Sequence, residues 1–182
     1  MSKAIGMVEY RTVSSGITAA DTMVKTSAVE VLEAHVVCPG KYIVLITGEL
    51  SAVRASVDAA AANNPDMLTD SFVLGNPHED IFRAIYGGAP VEDAKALGIL
   101  ETFSVPSIIV AADSAAKAAE VQLIEVRCAR GMSGKSYMLI TGTVASVSAA
   151  IEHAKQRISE EGTFLDSSVI PNPDPSIWDS IL

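Results

Sequence analysis

The sequence predicts an α+β protein built from two tandem copies of one unit, each a mainly antiparallel sheet with helices packed against it. Three observations lead there. Sliding the chain against itself by 92 residues places Gly6 on Gly98, Glu9 on Glu101, Asp21 on Asp113, Lys25 on Lys117 and Glu33 on Glu125, a density of identity that marks a tandem duplication. Within each copy, short runs rich in β-branched residues are separated by Pro and Gly turns, the pattern of strands joined as hairpins. Two Ala-rich stretches per copy are long enough for helices. Strands that follow strands, with helices set apart, favour an antiparallel sheet covered by helices over an alternating parallel one.

Taken in order, each copy opens with a strand, at 3 to 10 (KAIGMVEY) and at 95 to 103 (KALGILETF). A helix follows at 16 to 27 and 106 to 119, where Asp21 and Lys25, like Asp113 and Lys117, lie four apart on one helical face. Strands at 28 to 37 and 42 to 47 flank a turn with Cys38, Pro39 and Gly40 at its tip. Beyond it the offset grows to 94, matching Gly40-Lys41 to Gly134-Lys135 and Leu45-Ile46-Thr47-Gly48 to Leu139-Ile140-Thr141-Gly142, so the second turn is longer. A second helix is read over 49 to 63 and 143 to 160, and a last strand over 68 to 75 and 163 to 170. Here the offset is 96: Asp70-Ser71 meets Asp166-Ser167, Asn76-Pro77 meets Asn172-Pro173, and short end helices are placed near Ile81 and Ile177. Residues 86 to 94 (YGGAPVEDA) read as a linker, giving domains 1–88 and 95–182.

With 49% hydrophobic residues but only 5% aromatics, the core is built from Ala, Val, Ile and Leu, and the apolar surplus points to buried subunit contacts. The net charge of −9 is spread over both copies with no basic patch, which argues against nucleic acid as a partner. No apolar run approaches the roughly 20 residues of a membrane helix. Met1-Ser2-Lys3 leads into a strand instead of a signal-peptide core, so a cytoplasmic protein without a membrane partner is expected. The two cysteines occupy non-matching positions and suggest a metal or redox role, or none, before a disulfide. Cys38 sits at a turn tip, a poor place to bury a thiol, whereas Cys128 falls opposite Val36 inside a strand and reads as core. His35, His78 and His153 show no ligand spacing. Gly-x-Ser-x-Gly, Cys-x-x-Cys and a complete phosphate loop are missing, so the chain is not expected to be an enzyme.

Gly6-Met7-Val8-Glu9 and Gly98-Ile99-Leu100-Glu101, Ala-Asp-x-x-x-Lys at 20 to 25 and 112 to 117, and the Gly-Lys pairs opening the third strands carry a resemblance to the bacterial microcompartment shell domain over nearly all of both copies. The whole chain resembles the tandem-domain shell proteins. That resemblance implies a homotrimer imitating a hexagon, tiled with other shell proteins into a microcompartment shell in the cytoplasm. It places the turn before each Gly-Lys around the central axis: Val37, Cys38, Pro39 and Gly40 from the first copy, Arg130, Gly131, Met132, Ser133 and Gly134 from the second. Lys25 and Lys117 would lie on the tile edge, where Asn76 and Asn172 replace an Arg common in the family and imply different edge packing. In the propanediol-utilisation branch, a cysteine of the first turn holds an iron-sulfur cluster at the axis, and the matching residue is Cys38.

A cluster wants several thiolates, commonly four, and one chain cannot supply them. Threefold symmetry presents Cys38 three times. Three thiolates with one non-cysteine or vacant position suit a 4Fe-4S cubane shared by three subunits, passing electrons across the shell with a redox enzyme of the lumen as partner. The same three thiolates suit zinc. Backbone amides of Gly40 and Lys41 are candidate donors to the sulfurs. Two rival expectations stand beside this one, a small-molecule binding or regulatory module and a metabolite pore without a cluster.

Overall fold

The computed structural model describes residues 4–87, 91, 95–159 and 162–181. In the first copy, β1 (Ala4–Tyr10), α1 (Val13–Thr26), β2 (Glu30–Val37), β3 (Lys41–Gly48), α2 (Leu50–Asn63), β4 (Leu68–Leu74) and α3 (Asp80–Ile85) follow one another. The second repeats them as β5 (Ala96–Thr102), α4 (Val105–Ala118), β6 (Val121–Arg127), β7 (Ser136–Gly142), α5 (Val144–Ser159), β8 (Phe164–Pro171) and α6 (Pro175–Ile181). Each copy forms a four-stranded sheet, ordered β2-β3-β1-β4 and β6-β7-β5-β8, with every pairing antiparallel. The α+β architecture read from the sequence is therefore the one observed. The expected linker falls largely outside the described residues.

The central strand explains the layering. β1 is buried along its whole length, and successive side chains point to opposite faces. Ala4, Val8 and Tyr10 pack with Ala19 and Met23 of α1 and Val53, Val57 and Ala60 of α2. Ile5 and Met7 look the other way, into a larger cluster that holds Ile43, Leu45, Phe72 and Ile81 together with Val105, Ile108, Ile109 and Ala112 of α4. The two copies thus share one core, with α4 clamped between the first sheet and its own. Gly6 and Gly98 permit the close approach of α2 and α5: a Cβ there would lie 2.7 Å from Val53 and Val57 and 2.6 Å from Val147. α6 rests on the outer face of its own sheet, with Trp178 and Ile181 against Leu97, Ile124 and Leu139.

Two expectations are corrected. The first helix of each copy begins earlier than read, because Thr12 and Ser104 are N-caps whose hydroxyl oxygens accept the amides of Ser15 at 3.4 Å and Ser107 at 3.2 Å. Cys128 lies one residue beyond β6 and not within a strand. It is nonetheless buried, 8% exposed.

Candidate pore turn and the seam beneath it

Pro39 and Gly40 turn the chain between β2 and β3, and the Gly40 amide donates to the Val37 carbonyl at 2.9 Å. That amide closes the turn and is not the sulfur donor expected of it. Cys38 is half-buried at the tip. The longer second turn bends through left-handed conformations at Ala129, Gly131, Ser133 and Gly134 and docks directly on the first. The Cys38 amide donates to the Ala129 carbonyl at 3.2 Å. A Cβ on Gly134 would stand 3.0 Å from Pro39 Cδ and 3.2 Å from the Cys38 carbonyl oxygen, so only glycine fits there.

Together the turns line an open cavity of about 390 Å³ formed by Val36, Val37, Cys38, Pro39, Gly40, Arg130 and Gly131. The structure therefore brings six of the expected turn residues to one place, with Gly134 packed against them. Met132 is elsewhere, lining a separate cavity with Ile99, Glu101, Tyr137 and Leu139. Ser133 lines neither cavity. Among the described residues no group of three or more His, Cys, Asp or Glu could hold a metal within one chain. Cys128 lies in different surroundings: burial pushes its thiol up to about 12, with Glu33 adding repulsion for a thiolate.

Directly behind the turns lies a charged seam that motif reading recorded only as repeated residues. Glu9, 0% exposed in its side chain, accepts Lys41 Nζ at 2.5 Å and the Val105 amide at 2.7 Å. Burial raises its pKa above the usual 4.5, opposed by the Lys41 and Val105 hydrogen bonds. Lys41 also donates to the carbonyls of Phe103 at 3.3 Å and Gly134 at 3.4 Å. Asp70 accepts the Ser107 hydroxyl at 2.7 Å and that of Ser104. Two carboxylates of the first sheet thus meet the start of α4, where helix amides lack intrahelical partners and the helix dipole is positive. The signal for this was an ionisable residue inside an apolar strand, Glu9 in IGMVEY.

Lys25 and Lys117 bond Asp21 and Asp113, each at 2.7 Å. They are not equivalent. Lys25 is 73% exposed, whereas Lys117 also donates to the Asn76 carbonyl at 2.5 Å, tying α4 to the loop before α3.

With this geometry in place, comparison with known proteins identifies the fold's kin. The BMC domain model matches residues 4–77 and again 96–173. The bacterial microcompartment shell protein PduT of Citrobacter freundii is 39% identical over 178 residues, covering 98% of this chain and 97% of that protein. The shell protein PduA of the same organism is 34% identical over 88 residues, 47% of this chain and 95% of that protein, so one PduA length corresponds to one copy. A microcompartments protein from Desulfitobacterium hafniense DCB has a crystal structure that superposes with a TM-score of 0.85 at 44% identity, covering 98% of this chain and 99% of that one. A matched copy on either side of the shared core makes this chain a tandem member of the BMC-domain family.

Proposed function

We propose that the chain is a shell tile of a bacterial microcompartment in the cytoplasm, a homotrimer of pseudohexagonal outline whose Cys38 residues together hold an iron-sulfur cluster at the central pore. The observation that carries this is the position of Cys38, half-buried at the tip of a turn, facing an open cavity and rigidly backed by the second turn through Ala129 and Gly134. One thiol per chain fits a ligand set completed by symmetry, because closed rings present the same residue once per subunit. When bound, a 4Fe-4S cluster supplies one-electron transfer, here between lumen and cytosol and toward a redox enzyme inside. What the chain would contribute is the thiolate and a partly apolar wall of Val36, Val37 and Pro39. Arg130 adds positive charge beside the negative thiolates. Other shell proteins are the lateral partners, with Lys25 and Lys117 at the tile edge. No helix among the described residues is long and apolar enough to cross a membrane, and the tile has no catalytic role.

Purification without oxygen tests the cluster. The protein should be brown, with iron and sulfide near one cubane for every three chains, about four of each. Cys38→Ser should lose both and stay a trimer, while Cys128→Ser keeps the colour. Zinc in place of iron would remove the electron-transfer role. Colourless, metal-free protein from cells competent in cluster assembly would leave a pore for metabolites.

A further inference from the structure

We infer that chains join head to tail through a seam in which Glu101 and Asp166 of one subunit cap the start of α1 in the next, while Lys135 pairs with Glu101 inside the joint. This rests on the reading of the chain as a homo-oligomeric tile. The template is the contact between the two copies within the chain. There Glu9 takes the first amide of α4, Lys41 neutralises Glu9, and Asp70 takes the two hydroxyls of the helix cap.

The second sheet carries the same groups. Glu101 matches Glu9, Lys135 matches Lys41, and Asp166 matches Asp70. Asp166 accepts the amide of Ser167 at 2.8 Å, as Asp70 accepts that of Ser71 at 2.8 Å, and its other oxygen, the one that in Asp70 takes the two helix-cap hydroxyls, has no partner among the described residues. Among the described residues Glu101 and Lys135 have no side-chain partner in their own chain. Beside Glu101 lies a cavity of about 380 Å³ with apolar walls at Ile99, Leu139 and Ile181.

The first helix carries the complementary half. Thr12, Val13, Ser15 and Ile17 of α1 stand where α4 has Ser104, Val105, Ser107 and Ile109. In α4 the two apolar residues are fully buried, yet Val13 is 40% and Ile17 54% exposed. The first turn of α1 contains no acidic residue, so its positive end is unneutralised and faces outward. Val13 and Ile17 fill the cavity, the Val13 amide meets Glu101, and the Ser15 hydroxyl meets Asp166, joined by that of Thr12 once it turns from its 2.9 Å bond to Ser15 Oγ. The joint uses different surfaces on the two partners, which makes it heterologous and able to close a ring.

Sedimentation and light scattering on the whole chain test this. Wild type should be trimeric. Glu101→Ala with Asp166→Ala, an acid-end variant, and Ile17→Asp, a helix-end variant, should each weaken subunit association by at least about 30-fold, the scale for uncovering one partner of a buried charged contact. Both should keep the wild-type circular dichroism of the separated chain. Mixed together, they retain one sound end each, so they should form a dimer and stop there. Glu101→Lys, which puts a donor-only cation against the Val13 amide, should break the trimer, whereas Glu101→Gln, which keeps an acceptor there, should retain part of the association, and this pair keeps the test decisive if the alanine pair folds poorly. Monomeric wild type would overturn the tile reading and the seam with it. A trimeric wild type whose variants all associate undiminished, or a mixture that yields trimers, would overturn the seam and leave the trimer standing.

Discussion

α1 and α4 are two versions of one helix, and their surroundings differ more than their sequences. Both start from a hydroxyl cap, both carry Asp and Lys four apart, and both pack one face on their own sheet. Only Gly16, Ala19 and Met23 are buried in α1, while α4 is buried on nearly every side. The cause is the chain that precedes each. α4 follows a sheet whose outer face, with Ile5, Met7, Leu45 and Phe72, is there to receive it, and among the described residues α1 is packed only with its own sheet and α2. Duplication therefore gives two nearly equal units, and fusion gives one satisfied joint and one open one. The open joint is where the proposed assembly acts.

The sharpest way to break that comparison is to remove the same lysine from each copy. Lys41→Met leaves Glu9 buried without its cation, and breaking a buried pair from one side costs about 3 kcal/mol or more. Lys135→Met removes an exposed residue and should change the stability of the separated chain by less than about 0.5 kcal/mol. Urea unfolding at a concentration that keeps chains apart measures both. The pH dependence has a definite sign. Burial holds the folded pKa of Glu9 above its ordinary 4.5, so the folded state binds the proton more readily than the unfolded one. Its contribution is therefore most favourable below the unfolded value and is lost as pH rises through the folded value. Without Lys41 the folded pKa climbs further, so the deficit of Lys41→Met should shrink on acidification from neutral pH into the carboxylate range. A deficit equal at both pH values, or equal for the two lysines, would remove the distinction drawn between the joints.

The sequence made the strands legible because apolar runs between Pro and Gly turns leave few alternatives, and the offsets that align Glu9 with Glu101 also align the sheets. The shared core was harder to see. A repeat suggests equal burial, yet α4 has Ile108 and Val110 where α1 has Gly16 and Thr18, a substitution pattern that records a second packing face. At the candidate pore turn, Pro39 and Gly40 announced the first bend. The course of the second depends on left-handed backbone at Ala129 and Ser133, residue types that do not advertise it, and so Met132 turned out to line the other cavity. The carboxylate caps were hidden for a different reason: Glu9 and Val105, whose amide it accepts, lie 96 positions apart, beyond any local pattern.

The smallest effects separate folding from assembly most cleanly. Asp113 is 7% exposed, and besides Lys117 it accepts the His78 amide at 2.7 Å. Asp113→Ala leaves that amide without its acceptor and should cost about 2 kcal/mol, the scale of an unsatisfied buried donor. Asp21 makes the same helical pair but is 58% exposed, and exposed pairs of this spacing contribute about 0.3–0.5 kcal/mol. Asp21→Ala should therefore be barely measurable in the same unfolding experiment. Lys25→Glu belongs with it: the ion pair it breaks is screened by water, so the folded chain should keep its midpoint. The trimer should persist as well, because the residues assigned to its joint are Glu101, Asp166 and the start of α1. If Lys25 lies on the tile edge, however, the reversed charge is repeated three times around every trimer and should abolish extended sheets in electron micrographs. Sheets that form normally would remove Lys25 from the edge, and a lost trimer would place it in the joint instead.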